Sequence, residues 1–196
     1  TGITLFYRPN YLYGFEVAPT VCTWQAGEFF RFAYRHGMIG ATFEDGLMFH
    51  WAVHGPMAYM HLRLMWRPDL EIKEVRREYF SAFGPAAKAV EQYFDYWEDY
   101  TRRRPAIARD GIVQSQYGPV AKLRRRVGAY LAYPPEAYPP AEAILEKALA
   151  VARRSSRPEF AARVQFLQAG LRHAQLSTRL CRFLEYDLSA STMPAA

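Results

Sequence analysis

ITLFYRPNYLYGFEVAPTVCTWQAGEFFRFAYRHGMIGATFEDG, residues 3–46, decides how the chain is read. Ile3 to Tyr7 are β-branched and aromatic, and Pro9 halts them, the pattern of a short buried strand. A tyrosine-bearing loop runs from Arg8 to Pro19, with Tyr11 and Tyr13 on either side of Leu12. Thr20 suits an N-cap, and Val21 to His36 reads as a helix with Trp24, Phe29 and Phe32 among its apolar members. Gly37 is the expected left-handed stop. Met38 to Phe43 is a second short apolar run, ended by Glu44-Asp45-Gly46. Two strands joined through a helix are normally parallel, with a right-handed crossover. Such a pair is marginal by itself in water. The stretch therefore reads as the tail of a larger parallel sheet or barrel.

Outward from residue 47 the period changes to that of helices. His50 to Trp66 carries Val53, Met57, Met60, Leu64 and Met65, with Pro56 near the first turn. Glu71 to Phe83 repeats Ile72, Val75, Tyr79, Phe80 and Phe83 at helical spacing. Gly84-Pro85 stops one helix and starts the next, since proline suits the first helical position. Ala86 to Tyr100 shows Val90, Tyr93, Phe94 and Trp97. Residues 101–118 read as a loop, and a helix is predicted near Val120–Leu131. Pro134-Pro135 and Pro139-Pro140 bracket a rigid link. Ala141 to Arg154 and Pro158 to about Tyr186 read as an antiparallel pair, and Ser189 to Ala196 as a frayed end.

Composition narrows the class. With 196 residues, 51% hydrophobic and 22% charged, the chain builds a core and is not disordered by composition. Aromatic residues reach 16%, a share suited to lining pockets for flat or ring-shaped ligands. Cys22 and Cys181 lie far apart and show no metal-ligand spacing. No apolar run approaches the roughly 18 residues that span a bilayer. The chain opens on Thr1, runs at once into a buried-strand pattern, and reads as beginning inside a fold. Its compartment stays open, because a secreted or periplasmic location needs a signal peptide upstream of Thr1. The formal charge of +6 gathers in residues 101–196, where 16 Lys/Arg face 7 Asp/Glu. That half reads either as solvated helix faces or as a surface for an anionic partner through Arg102–Arg104 and Arg124–Arg126. The arginine runs lack the interleaved aromatics of a single-strand binder, so no nucleic-acid partner is expected, and no membrane.

Three constellations can carry chemistry. Glu44 and Asp45 end the second strand, and in parallel β/α architectures the active site lies beyond the strand carboxyl ends. A carboxylate there serves as acid, base or nucleophile. Otherwise Asp45-Gly46 is a turn and Glu44 its solvated neighbour. Arg8 follows the first strand and reaches the same rim, either to hold a carboxylate or sugar hydroxyls, or to pair with Glu16 or Glu44. MFHWAVHGPMAYMH, residues 48–61, holds His50, Trp51, His54, Tyr59 and His61. His50 and His54 share a helix face at zinc-binding spacing, but Trp51 stands where the H-E-x-x-H motif needs Glu. Gly55-Pro56 also argues for a helix beginning after His54. The competing reading is a loop in which Trp51 stacks on a sugar ring while His50 or His54 hydrogen-bonds to it. No G-x-S-x-G, no glycine-rich phosphate loop and no cofactor motif is present, and no metal is expected.

The order of these pieces, with LMWRPDLEIKEV (64–75), YFSAFGPAAKAVEQYF (79–94) and LEKALAVARRSSRPEFAARVQFLQAGLRHAQL (145–176), resembles the C-terminal portion of the family called domain of unknown function 4838. The resemblance runs from about residue 3 to residue 180, and its most specific pieces include Phe83-Gly84-Pro85-Ala86-Ala87 and Gly170-Leu171. Members are similar to alpha-glucuronidases and other sugar hydrolases with a (β/α)8 barrel. The resemblance implies an α/β fold class: the last two strand–helix units of a (β/α)8 TIM-type barrel over residues 1–60, then a mainly α-helical region over residues 61–196 packing on it. It implies a glycoside hydrolase whose carbohydrate substrate meets Glu44 as a catalytic carboxylate. Tyr7, Arg8, Asp45, His50, Trp51 and His54 would hold the sugar. The remaining barrel strands would lie upstream of this chain. The competing function is a non-catalytic helical module with a basic surface for an anionic partner.

Overall fold

The computed structural model describes residues 5–7, 18–42, 50–103 and 133–191, with 5–7 and 181–191 as backbone. Strand β1 (Leu5–Tyr7) leads to helix α1 (Thr23–Arg35) and strand β2 (Met38–Ala41). Helices α2 (Trp51–Trp66), α3 (Ile72–Ser81) and α4 (Ala87–Arg103) follow, then α5 (Tyr138–Ala152) and α6 (Pro158–Ser191). Short 3-10 turns at Gly84–Ala86 and Pro135–Ala137 open α4 and α5. The described chain is mainly helical, and β1 and β2 form the one sheet among the described residues.

The strands pair in parallel, Phe6 with Gly40 and Tyr7 with Ala41, with an irregularity between Leu5 and Phe6. Gly37 turns the chain from α1 into β2 at φ 88°, the left-handed conformation anticipated for it. Helix α1 starts at Thr23, later than expected, because Thr20 is not its cap: the Thr20 hydroxyl bonds to Tyr133 at 2.9 Å. One free N–H of the first turn, that of Trp24, is satisfied instead by Glu98 of α4 at 2.8 Å. The helix buries Ala26, Gly27, Phe30 and Ala33, while Trp24, Phe29 and Phe32 stay exposed. A side chain at Gly27 would come within 2.9 Å of Ile72, so glycine there sets how closely α1 and α3 approach.

Helix α2 begins at Trp51, within one residue of the span His50–Trp66 read from the apolar period, and not after His54 as Gly55-Pro56 argued. Pro56 removes one N–H from the ladder but interrupts nothing else. Burial of Ala52, Val53, Met57, Ala58 and Met60 outweighs one lost bond. Gly55 is required because its Cα lies against the Tyr79 hydroxyl. Met65, expected in the stripe, is exposed. The expected boundary between residues 60 and 61 falls inside this helix.

Two buried clusters result. Phe30, Met60, Leu64, Ile72 and Val75 join α1, α2 and α3. The larger cluster is built on Phe80, Val90, Tyr93, Phe94 and Trp97 with α5 and α6, and it takes in Ala18 and Val21 from the segment before α1. Pro139-Pro140 is the first turn of α5, not a link before it, because first-turn residues have no N–H partner to lose. Gly84 has φ 54°, and a Cβ there would meet the Phe160 ring at 2.5 Å. Gly170 lies against Ala52, where α6 crosses α2. The predicted helix over Val120–Leu131 and the arginines Arg104 and Arg124–Arg126 lie outside the described residues.

Candidate functional site

Three helix ends converge at one place. Helix α1 leads into β2 through Gly37 and crosses between two parallel strands, so its N-terminus lies toward the carboxyl ends of the strands. Helix α2 runs alongside α1 in the same sense: Cys22 touches Met57, its N–H directed at Met57 Sδ at 3.3 Å, and Phe30 lies near His61 at 6.2 Å between ring centroids. The N-terminus of α2, with His50 and Trp51, therefore lies at that same end. The last turn of α4 closes the group: Val21 N–H donates to Thr101 Oγ1 at 3.2 Å, and Tyr133 joins Thr20 to Thr101.

His50 and Trp51 are half-buried at the start of α2. The carbonyl of His50 accepts from Val53 and His54, so His50 stands at the N-cap and its ring lies 6.3 Å from both His54 and His173. His54, expected among the sugar-facing residues, is fully buried. Its Nε2 lies 3.2 Å from the Ala18 carbonyl, which assigns the ring proton to that nitrogen. Burial, with a smaller push from His50, lowers its pKa to about 3, so the ring is neutral. His54 thus fastens the segment before α1 and does not face solvent. His61 is buried too, and burial lowers its pKa to about 4. Tyr7 ends β1 beside Ala41. Arg8, Glu44 and Asp45 lie outside the described residues. Among the described residues no group of three His, Cys, Asp or Glu side chains is placed to hold a metal ion. No described helix is long and apolar enough to cross a membrane.

Beside these residues lies a cavity of about 700 Å³ between the N-terminus of α1 and the C-terminal turns of α4. Its wall includes Trp24, Gln25, Asp95, Glu98, Asp99 and Arg102. Behind the wall Arg76, 3% exposed, donates to Asp95 at 2.5 Å and to Glu98 at 3.3 Å and lies 3.5 Å from Glu91. Its guanidinium sits 5.2 Å from the ring centres of both Trp24 and Phe80. Burial raises the pKa of Glu98, against the opposing pull of the Trp24 N–H and Arg76. Arg102 bonds to Asp99 at 2.5 Å, so the one described member of the first arginine run that lines this wall already has its counter-charge.

Sequence reasoning passed over this acidic wall. A signal was present: Glu91, Asp95 and Glu98 recur at i, i+4 and i+7 along α4. What was missing was Arg76, one helix earlier, which reads as an ordinary solvated residue until α3 and α4 pack. No curated protein and no solved structure matches the chain. A family model does: residues 3–95, which take in the two strands, α1 to α3 and the first half of α4, match the family described as Domain of unknown function (DUF4838).

Proposed function

We propose that this chain is the C-terminal part of a carbohydrate-active glycoside hydrolase. In this reading β1 and β2 are the last two strands of a (β/α)8 barrel, and α2 to α6 close and buttress it. The observation that carries the reading is the parallel pairing of β1 with β2 through α1, with the N-termini of α1 and α2 gathered at the strand carboxyl ends. Parallel strands with helical crossovers place catalytic groups at that end. Glu44 follows β2 by three residues and is the proposed acid–base or nucleophilic carboxylate. Arg8 directly follows β1, and its guanidinium suits an acidic sugar such as a uronic acid. Trp51 and His50 flank the rim, with Trp51 offering a ring face for stacking.

Turnover of aryl glycosides and aryl uronides by the full-length protein tests this. Glu44→Gln should lower kcat by roughly 10²-fold or more while binding is largely kept, as for loss of an acid–base group. Trp51→Ala should weaken substrate binding instead. Wild-type turnover by Glu44→Gln removes the catalytic assignment.

A further inference from the structure

The cavity at the junction of α1 and α4 gathers, in one place, an exposed indole and several hydrogen-bonding groups. Trp24 presents an indole that is 44% exposed at its mouth. Around it stand three carboxylates (Asp95, Glu98 and Asp99), the guanidinium of Arg102, the amide of Gln25 and the hydroxyl of Thr101. Planar carboxylate, guanidinium and amide groups bind vicinal hydroxyls through paired hydrogen bonds, and an indole face complements the C–H face of a saccharide ring. The volume lies within the range of small-molecule sites.

The charge arrangement selects further. Both arginines are already matched, Arg76 by Asp95 and Glu98 and Arg102 by Asp99. A uronate entering here would meet three carboxylates and no uncommitted cation among the residues lining the wall. Like charges at close range disfavour each other in a partly desolvated site. We propose that this cavity is a subsite for a neutral glycosyl unit, stacked on Trp24 and hydrogen-bonded by Gln25, Asp99 and Arg102. The proposal rests on the carbohydrate reading above and deepens it. The acidic-sugar preference assigned to Arg8 belongs to the rim, while the unit seated against α4 is uncharged.

Calorimetric titration of the full chain with cellotriose, xylotriose, mannotriose, trigalacturonate and spermidine decides this without any need for turnover. At least one neutral trisaccharide should bind. Trp24→Ala should weaken that binding about tenfold, the worth of one aromatic contact. Gln25→Ala, at an exposed position of the wall, should weaken it as well. Circular dichroism separates loss of the site from loss of the fold. The proposal is overturned if none of the neutral trisaccharides binds. It is also overturned if Gln25→Ala and a folded Trp24→Ala bind like the wild type, or if trigalacturonate or spermidine binds more tightly than every neutral sugar. Retained binding with no hydrolysis by the full-length protein would remove the hydrolase reading and leave the subsite standing.

Discussion

Arg76 shows how one residue can tie a site to a core. Its side chain is 3% exposed and lies between Trp24 and Phe80, yet its partners Glu91 and Asp95 are half in solvent, and only Glu98 is well buried with it. Removing one partner of a buried pair leaves an uncompensated charge. Arg76→Ala should therefore cost about 2–3 kcal/mol in urea unfolding, below the fully buried range because Glu91 and Asp95 can rehydrate. Arg76→Lys should recover only part of this, since an ammonium lacks the planar fork. A change under about 0.5 kcal/mol for Arg76→Ala would mean the cluster is a solvated surface pair. The buried histidines give a second test. Burial depresses their pKa to about 3 for His54 and about 4 for His61, against about 6.5 in the unfolded chain. Between those values the unfolded state binds the protons and the folded state does not. Stability is thus unaffected by these groups above about pH 6.5 and falls as pH drops below it. The slope approaches about 1.4 kcal/mol per pH unit for each histidine. Urea midpoints at pH 7, 6 and 5 should fall progressively, and His61→Leu should reduce the slope by about half.

At the scale of elements, α3 and α4 were legible almost residue by residue. Ile72, Val75, Phe80, Val90, Tyr93, Phe94 and Trp97 recur at helical spacing and are all buried. Phe80→Ala and Trp97→Ala should each cost about 3–5 kcal/mol, as expected when a large aromatic is deleted from a closed core. Urea midpoints for the two variants check this, and a loss below about 1 kcal/mol would place these stripes at the surface. Helix α1 was less legible. Its apolar residues occupy two faces, and nothing in spacing alone says that Ala26, Phe30 and Ala33 go inward while Phe29 and Phe32 stay out. Partner identity decides: Gly27 admits Ile72 and draws that side of the helix onto α3. At the start of α2 the apolar period from His50 to Trp66 holds, and the competing start after His54 does not. Gly55-Pro56 is a local helix-breaking signal, and burial against Tyr79 and Trp51 overrides it.

For the whole molecule, stability is unevenly distributed. The cluster around Trp97 draws on α3, α4, α5 and α6, whereas β1 is three residues long and pairs with a single strand among the described residues. Sheets of two short strands are marginal. Hydrogen exchange on the full chain should show the amides of Tyr93–Trp97 protected far beyond those of Leu5–Tyr7. Equal protection would mean that the sheet is closed by other parts of the chain as it stands, which removes the need for further barrel strands.

The strand–helix–strand order, the parallel pairing, the stop at Gly37 and the stripes of α3 and α4 followed from sequence by itself. Each depends on residues near one another along the chain: hydrophobic period, turn chemistry and the handedness of a crossover. The resemblance also singled out Gly84 and Gly170 without saying why they are glycine. Packing supplies the reason, in the Phe160 ring against one and Ala52 against the other. The inward seat of His54, the capping of α1 by Glu98 and the acidic wall around Arg76 were decided only by tertiary structure. Burial, hydrogen-bond partner and local charge belong to pairs of residues brought together by folding, and Trp24 and Glu98 lie 74 positions apart before α1 and α4 meet.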